Sequence, residues 1–512
     1  MTDEATGRDG SLTARASWLM LARTAAFALG FAVPLLLVRI LSQTELGLYR
    51  QVFLVVATAI NVLPLGFHMS AFYFLPRERG REGQVALNVA LFFLLVAALA
   101  GGAVVLFPGL LAATFNSAAL VPYAPAIGAA LFLWVASTNL EYVALANQEV
   151  KLATVLIVAL QLARSVMLLA AALAFGTVGA LLWAAVAYGA VQTAVLVAYL
   201  ARRFRIFSCG FDWPLMRRQL AYAVPLGAAG LLYALQLDLH QYFVANRFGE
   251  AAFAVYSIGC FQLPLIHILS DSVGAVMLPR VTRLQKENRA RKIVELTARM
   301  MRKLAVVYFA AYAFLLVAGR EFIAVLFTEQ YLASHPVFVV NLTMILVYFM
   351  SNVYDPIMRA YAEQRYFLLR LRLALVALLV AVLWWETERL GLVGVITVAV
   401  GLSLAERIIT AARAASVVGA TWRDAALLKD VGRVALAALA AAVVTLLARS
   451  LAAGARPFVV LVVCAAVFAP VYVACVWLFG AVTAEEREML ARKAALLRRA
   501  APRGRRAPGS VF

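Results

Sequence analysis

Trp18 to Arg50 reads WLMLARTAAFALGFAVPLLLVRILSQTELGLYR. The run from Trp18 to Leu41 is apolar and long enough to cross a hydrocarbon layer about 30 Å thick. It is too long for a signal-peptide core and lacks a convincing cleavage site, so it reads as a retained first span. A short turn bounded by Arg39 and Glu45 follows, and Tyr49 leads into a second apolar run. An apolar helix, a tight polar turn and another apolar helix set the pattern for the chain.

The 512 residues are 64% hydrophobic and 14% charged, with a mean hydropathy of +0.89. A soluble chain carries about 25% charge and 45–50% apolar residues. Apolar stretches recur from Trp18 almost to Val482, so the fold class is all-α, a polytopic membrane protein of about 14 transmembrane helices. The expected spans are 17–40, 47–74, 85–107, 121–145, 152–175, 177–201, 218–245, 252–279, 303–326, 336–360, 367–386, 391–415, 431–449 and 457–482. Pro34, Pro64, Pro225, Pro264 and Pro470 fall inside these runs, where prolines mark bends.

The net charge of +20 is spread over short segments between apolar runs. It excludes a nucleic-acid face, which needs basic residues gathered on one solvated domain. With the N-terminus in the cytoplasm, the inside loops hold Arg77, Arg79, Arg81, Arg202, Arg203, Arg205, Arg217, Arg218, a dense stretch from Arg280 to Lys303, Arg365, Arg370, Arg423, Lys429 and the tail from Arg487 to Arg506. The outside connections offer little beyond Arg247, Arg320, Arg389, Arg449 and Arg456. This bias places both termini in the cytoplasm. Two inside segments, Pro279 to Lys303 and the tail with Leu490, Ala494 and Leu497 on one face, read as basic amphipathic helices suited to membrane lipids.

A repeat divides the chain. Val38-Arg-Ile-Leu41 and the turn to Tyr49 are matched by Val244-Ala-Asn-Arg-Phe-Gly-Glu250 and Phe253-Ala-Val-Tyr256. Pro64 and Pro264 follow in the next helices. Ala144 to Glu149 and Arg359 to Gln364 close spans four and ten. The expected organisation is a tail, 1–16; an N-lobe of six spans, 17–205; a C-lobe of six spans, 206–415; a C-terminal helix pair, 416–482; and a basic tail, 483–512. These motifs, with the turn Arg39-Ile-Leu-Ser-Gln-Thr-Glu45-Leu-Gly47-Leu-Tyr49, resemble the polysaccharide transporter (oligosaccharide flippase) family of the multidrug/oligosaccharidyl-lipid/polysaccharide exporter superfamily. The resemblance covers nearly the whole chain. It implies two helical bundles rocking between inward-open and outward-open states in a bacterial inner membrane. It further implies a glycan on a polyprenyl pyrophosphate as cargo, moved from the inner to the outer leaflet, and glycosyltransferases and a polymerase as pathway partners.

Ionisable residues inside the bilayer cost about 2.5–3.5 kcal/mol on insertion scales, so each needs a reason. Arg164, near the middle of span five with Gln161 beside it, suits a pyrophosphate because a planar guanidinium matches phosphate oxygens. Related flippases of lipid-linked peptidoglycan precursors resemble this chain in lining a cavity with arginines, which adds Arg23 and Arg50 by position. Arg23 and Arg50 also suit the bland role of snorkelling to the membrane interface. The resemblance fails on span seven, where Asp238 and His240 stand. With Asp271 on span eight, these form a cavity wall or a site for H+ or Na+. Asp355 and Arg359, one turn apart, are expected to pair, whereas Glu406 and Arg407 are expected to find structural partners on other helices.

Cys209, Cys260, Cys464 and Cys475 show no metal or disulfide spacing and are expected to pack inertly. No phosphate loop, metal motif or catalytic constellation stands out. The expectation is therefore a transporter without cofactor or metal. The competing readings are a multidrug extrusion pump, a membrane glycosyltransferase or polymerase, with Glu386 and Glu388 as its only paired carboxylates, and a scaffold subunit.

Overall fold

A computed structural model describes residues 30–481. Both tails, Arg23 and the amphipathic face at Leu490, Ala494 and Leu497 lie outside the described residues. Within them the elements are helices, with no strand. In chain order they are α1, Gly30–Ile40, then α2, Gln43–Val62; α3, His68–Phe74; α4, Glu82–Leu106; α5, Gly109–Phe115; α6, Ala124–Ser137; α7, Asn139–Ala146; α8, Val150–Phe175; and α9, Val178–Phe204. The rest are α10, Trp213–Gly259; α11, Pro264–Lys286; α12, Ala290–Phe327; α13, His335–Leu342; α14, Met344–Ala360; α15, Arg365–Val417; α16, Lys429–Leu451; and α17, Pro457–Leu478.

Ten helical segments among the described residues are long and apolar enough to cross a membrane, or eleven with the bent pair Trp213–Pro225 and Gly230–Gly259. The chain is therefore a multi-pass membrane protein, but the expected fourteen spans are not met helix for helix. The first lies largely outside the described residues. The eighth is broken between Gly259 and Pro264. The eleventh and twelfth share α15, which doubles back at Gly391 (φ 61°). Arg372 and Glu406, 34 residues apart, meet at 3.0 Å, whereas a straight helix would separate them by about 51 Å. α10 reverses likewise at Gly249 (φ 77°), so that Tyr256 returns to within 2.7 Å of His240. Both glycines sit where the backbone takes a conformation that L side chains resist.

The loops sort onto two faces. On one, Arg81 bonds Asp212, Arg218 pairs with Glu78 at 2.9 Å, Arg203 pairs with Glu149, and Arg291 pairs with Asp424. On the other, Arg39 donates to the carbonyls of Val325 and Leu326 at 2.8 and 3.0 Å. There too Asn246 donates to Ala113 and Thr114, and Arg247 pairs with Glu388 at 3.2 Å. All pairs of the first face join loops expected inside, and all pairs of the second join connections expected outside. The second face ties the two halves of the chain together.

The halves also meet along α2 and α10, which run antiparallel. Tyr242 donates to Thr58 Oγ1 at 2.8 Å. Gly47 and Gly227 permit this approach, since a Cβ at either would collide with a carbonyl oxygen across the seam, that of Glu250 or Leu65. Small residues at such crossings let membrane helices pack by close backbone contact.

The repeat recurs as broken helices. α2 gives way after Val62 to a turn holding Pro64 and left-handed Leu65 and Gly66, and the α10 segment ending at Gly259 stops before Pro264. α6–α7 and α13–α14 each begin with a 3₁₀ turn and are interrupted at a threonine, Thr138 or Thr343. The pair α16–α17 packs on α12, where Tyr472 donates to the Val306 carbonyl at 2.7 Å and Arg449 pairs with Glu321 at 2.8 Å.

Candidate functional site

Ser42 and Glu45 form a reciprocal cap that starts α2. Such caps stabilise a helix by about 1 kcal/mol. One turn on, α2 presents Tyr49 and Arg50. Tyr49 stacks obliquely on Phe53 at 4.4 Å, Phe53 meets Trp134 of α6 edge-on at 5.6 Å, and Trp134 meets Tyr188 of α9 at 5.3 Å. The indole is fixed by its own bond to the Ala185 carbonyl, 2.8 Å. Arg164, on α8, lies over that indole with its guanidinium 4.7 Å from the ring centre. Tyr49 lies within electrostatic reach of both Arg50 and Arg164.

Neither arginine forms an ion pair with a carboxylate among the described residues. The Nε of Arg50 is buried without a hydrogen-bond partner. A cation over an aromatic face gains about 0.5–2 kcal/mol, less than the cost of bringing it into the bilayer. The first half therefore holds two cations with unspent capacity for an anion.

The second half inverts this arrangement. Glu406 and Arg407 are 1% and 2% exposed. Arg407 donates to Asp355 at 2.6 Å and to Glu406 at 3.0 Å, Arg372 donates to Glu406 at 3.0 Å, and Gln236 donates to its other oxygen at 2.8 Å. Both guanidinium groups lie over Tyr233, at 4.8 and 5.7 Å. Two cations and two carboxylates thus cancel formally. The expected Asp355–Arg359 pair is not formed, because Arg407 comes to Asp355 from the returning half of α15. Arg359 is exposed and lines a cavity of about 500 Å³ with Asp355, Asn352 and Tyr348. Glu406 and Arg407 do find partners on other segments, as expected, but also contact each other. The sequence reading passed over Arg372 and Tyr233. The available signal was a cation several residues inside the eleventh apolar run.

Asp238 and His240 have different hydrogen-bond partners among the described residues. His240 is buried and bonded through Nδ1 to the Tyr256 hydroxyl. Asp238, two residues earlier on the helix, is half-buried and accepts from Gln241 at 3.1 Å. Asp271 stands on α11, and its side chain is outside the described set. No group of three or more His, Cys, Asp or Glu side chains that could hold a metal ion occurs among the described residues.

A family profile described as "Polysaccharide biosynthesis protein" matches residues 36–336. No curated protein sequence matches the chain significantly. The fold is similar to that of the lipid II flippase MurJ in an inward closed conformation, with 14% identity and a TM-score of 0.70 over 90% of this chain and 98% of that one. An inward-facing multidrug resistance MATE transporter of the MOP superfamily is similar at 15% identity and a TM-score of 0.58, covering 80% and 96%. A MOP superfamily transporter from Pyrococcus furiosus is similar at 15% identity and 0.56, covering 79% and 95%. At these identities the likenesses establish the shared fold.

Proposed function

This chain belongs to the polysaccharide biosynthesis protein family, and from that premise we propose that it is a lipid-linked oligosaccharide flippase of a bacterial inner membrane. In this reading it carries a polyprenyl-pyrophosphate-linked glycan from the inner to the outer leaflet by alternating access, with both termini cytoplasmic. The observation that carries the proposal is the pair Arg50 and Arg164, held near one tyrosine with no carboxylate paired to them among the described residues. A pyrophosphate crossing the bilayer supplies the missing anion, and guanidinium–phosphate bonds are among the stronger hydrogen bonds available. Arg23 is assigned to the same cationic surface on the sequence reading of the first span alone. Glycosyltransferases and a polymerase of a polysaccharide pathway would supply and use the cargo.

A cation-extruding pump would need free acids facing its cavity. Glu406 and Asp355 are instead neutralised by arginines, which favours the anionic cargo. Asp238, without a cationic partner among the described residues, is the residue assigned to H+ or Na+ coupling, and Asp238→Asn should remove any dependence of transport on the ion gradient. The test of function is the sidedness of polyprenyl-linked glycan in a deletion strain. Accumulation on the cytoplasmic leaflet, reversed by wild type but not by Arg164→Ala, supports flipping. Normal outer-leaflet glycan in the deletion strain, without a second transporter, overturns it.

A further inference from the structure

We infer that a cavity of about 240 Å³ walled by α6–α7, α8 and α9 is a glycan subsite adjoining Arg164. The inference rests on the flippase reading and gives the carried sugar its own recognition site. The polar and aromatic lining is Thr138, Glu141, Tyr142, Gln161, Tyr188 and Gln192. Each sugar hydroxyl both donates and accepts, and amide side chains match it with both functions at once. The C–H faces of a pyranose ring, in turn, need a flat apolar surface, which tyrosine rings provide. A concave site with a few placed polar groups on an otherwise apolar wall is the usual form of a small-molecule pocket.

The elements around the cavity place these groups deliberately. On α8, Ile157, Gln161 and Arg164 follow one another at helical spacing, so the cavity wall runs directly to the guanidinium. Gln161 has room because the facing residue on α1 is Gly30, where a Cβ would come within 2.9 Å of Nε2. Among the described residues its side-chain bond to Ser165 Oγ is long at 3.4 Å, as is that of Gln192 to the Ser137 carbonyl at 3.5 Å. A sugar hydroxyl can replace either at little cost. The Tyr142 ring is held from behind by His68, stacked at 4.2 Å. Tyr188 abuts the same Trp134 indole that carries Arg164. Headgroup and sugar sites thus share an aromatic wall. The larger cavity near Ala412, Ala415 and Val418, about 690 Å³, is lined mainly by apolar residues and offers no side-chain amide.

The test uses the full chain in lipid nanodiscs and two probes: a polyprenyl pyrophosphate, and the same carrier bearing one N-acetylhexosamine. Wild type should bind the glycosylated probe at least tenfold more tightly. The double variant Gln161→Leu/Gln192→Leu should bind both probes equally, at the affinity wild type shows for the bare carrier, and that retained affinity confirms folding. Arg164→Ala should weaken both probes. A sugar-dependent gain that survives in the double variant, or is missing in wild type while the bare carrier binds, overturns the subsite. Failure of wild type to bind either probe overturns the flippase reading itself.

Discussion

The first half of the chain holds Arg164 over the Trp134 ring and Arg50 beside Tyr49, neither with a carboxylate partner among the described residues. The second half holds Arg372 and Arg407 over Tyr233 with Glu406 and Asp355 in direct contact. Both regions meet the same difficulty, guanidinium groups inside an apolar layer, and resolve it in opposite ways. The paired arginines are satisfied within the protein by Glu406 and Asp355, and with Gln236 this cluster fastens the two strokes of α15 to α10 and α14. The unpaired ones leave electrostatic capacity that only something from outside can use. The absence of a partner therefore indicates binding, and its presence indicates architecture.

That comparison breaks most visibly at Arg407. Arg407→Ala should destabilise the protein by about 3–5 kcal/mol, because the buried Glu406 and the half-buried Asp355 lose a cation, and thermal unfolding in detergent should show it. Arg407→Met with Asp355→Leu should recover at least half of the loss, since Arg372 and Glu406 remain a matched pair. If Arg407→Ala unfolds like wild type yet stops transport, the second cluster is a working site and the contrast fails.

Arg164→Ala should do the reverse. One charge-assisted contact to phosphate contributes about 1.5–3 kcal/mol, roughly 10- to 150-fold in affinity, so carrier binding should fall by that factor with the unfolding temperature little changed. A drop in stability with unchanged binding would make Arg164 structural. Arg164→Lys sharpens the point. It keeps the charge but loses the planar stack on Trp134, a difference of about 0.5–2 kcal/mol or roughly 2- to 30-fold. Equal binding by the lysine variant would show that charge alone matters. Smallest of all, Ser42→Ala should cost about 1 kcal/mol of helix stability at the start of α2. It should weaken carrier binding by less than about threefold through Arg50, as read from a binding titration.

Much of the architecture was legible because apolar run length and loop charge answer to the bilayer and to little else. The sorting of loops onto two faces follows the alternation expected from Arg81, Arg218 and Arg291 on one side and Arg247 on the other. Arg164 was visible as a cation without an obvious excuse, and Arg50 as one that an interfacial role would also explain. The repeat showed in Arg39 and Arg247 and in Pro64 and Pro264, because turns and breaks depend on local residue type. Asp355 was misassigned to Arg359 because spacing along one helix is all that a linear reading offers. Arg407 stands 52 residues away in sequence, and only the reversal at Gly391 brings it near. The Tyr256 partner of His240 was equally hidden, since it reaches the imidazole only after the chain turns at Gly249.

The amino-acid sequence by itself determined that this is an all-helical, multi-pass membrane protein, that its loops alternate between two faces, and that charges are buried in both halves. These properties are sums over neighbouring residues, and the hydrocarbon layer reads them one span at a time. Only the tertiary structure decided which buried charges are neutralised and which stand ready for a ligand. Coulomb energy depends on distance in space, and at Gly249 and Gly391 the fold sets distances that separation along the chain does not.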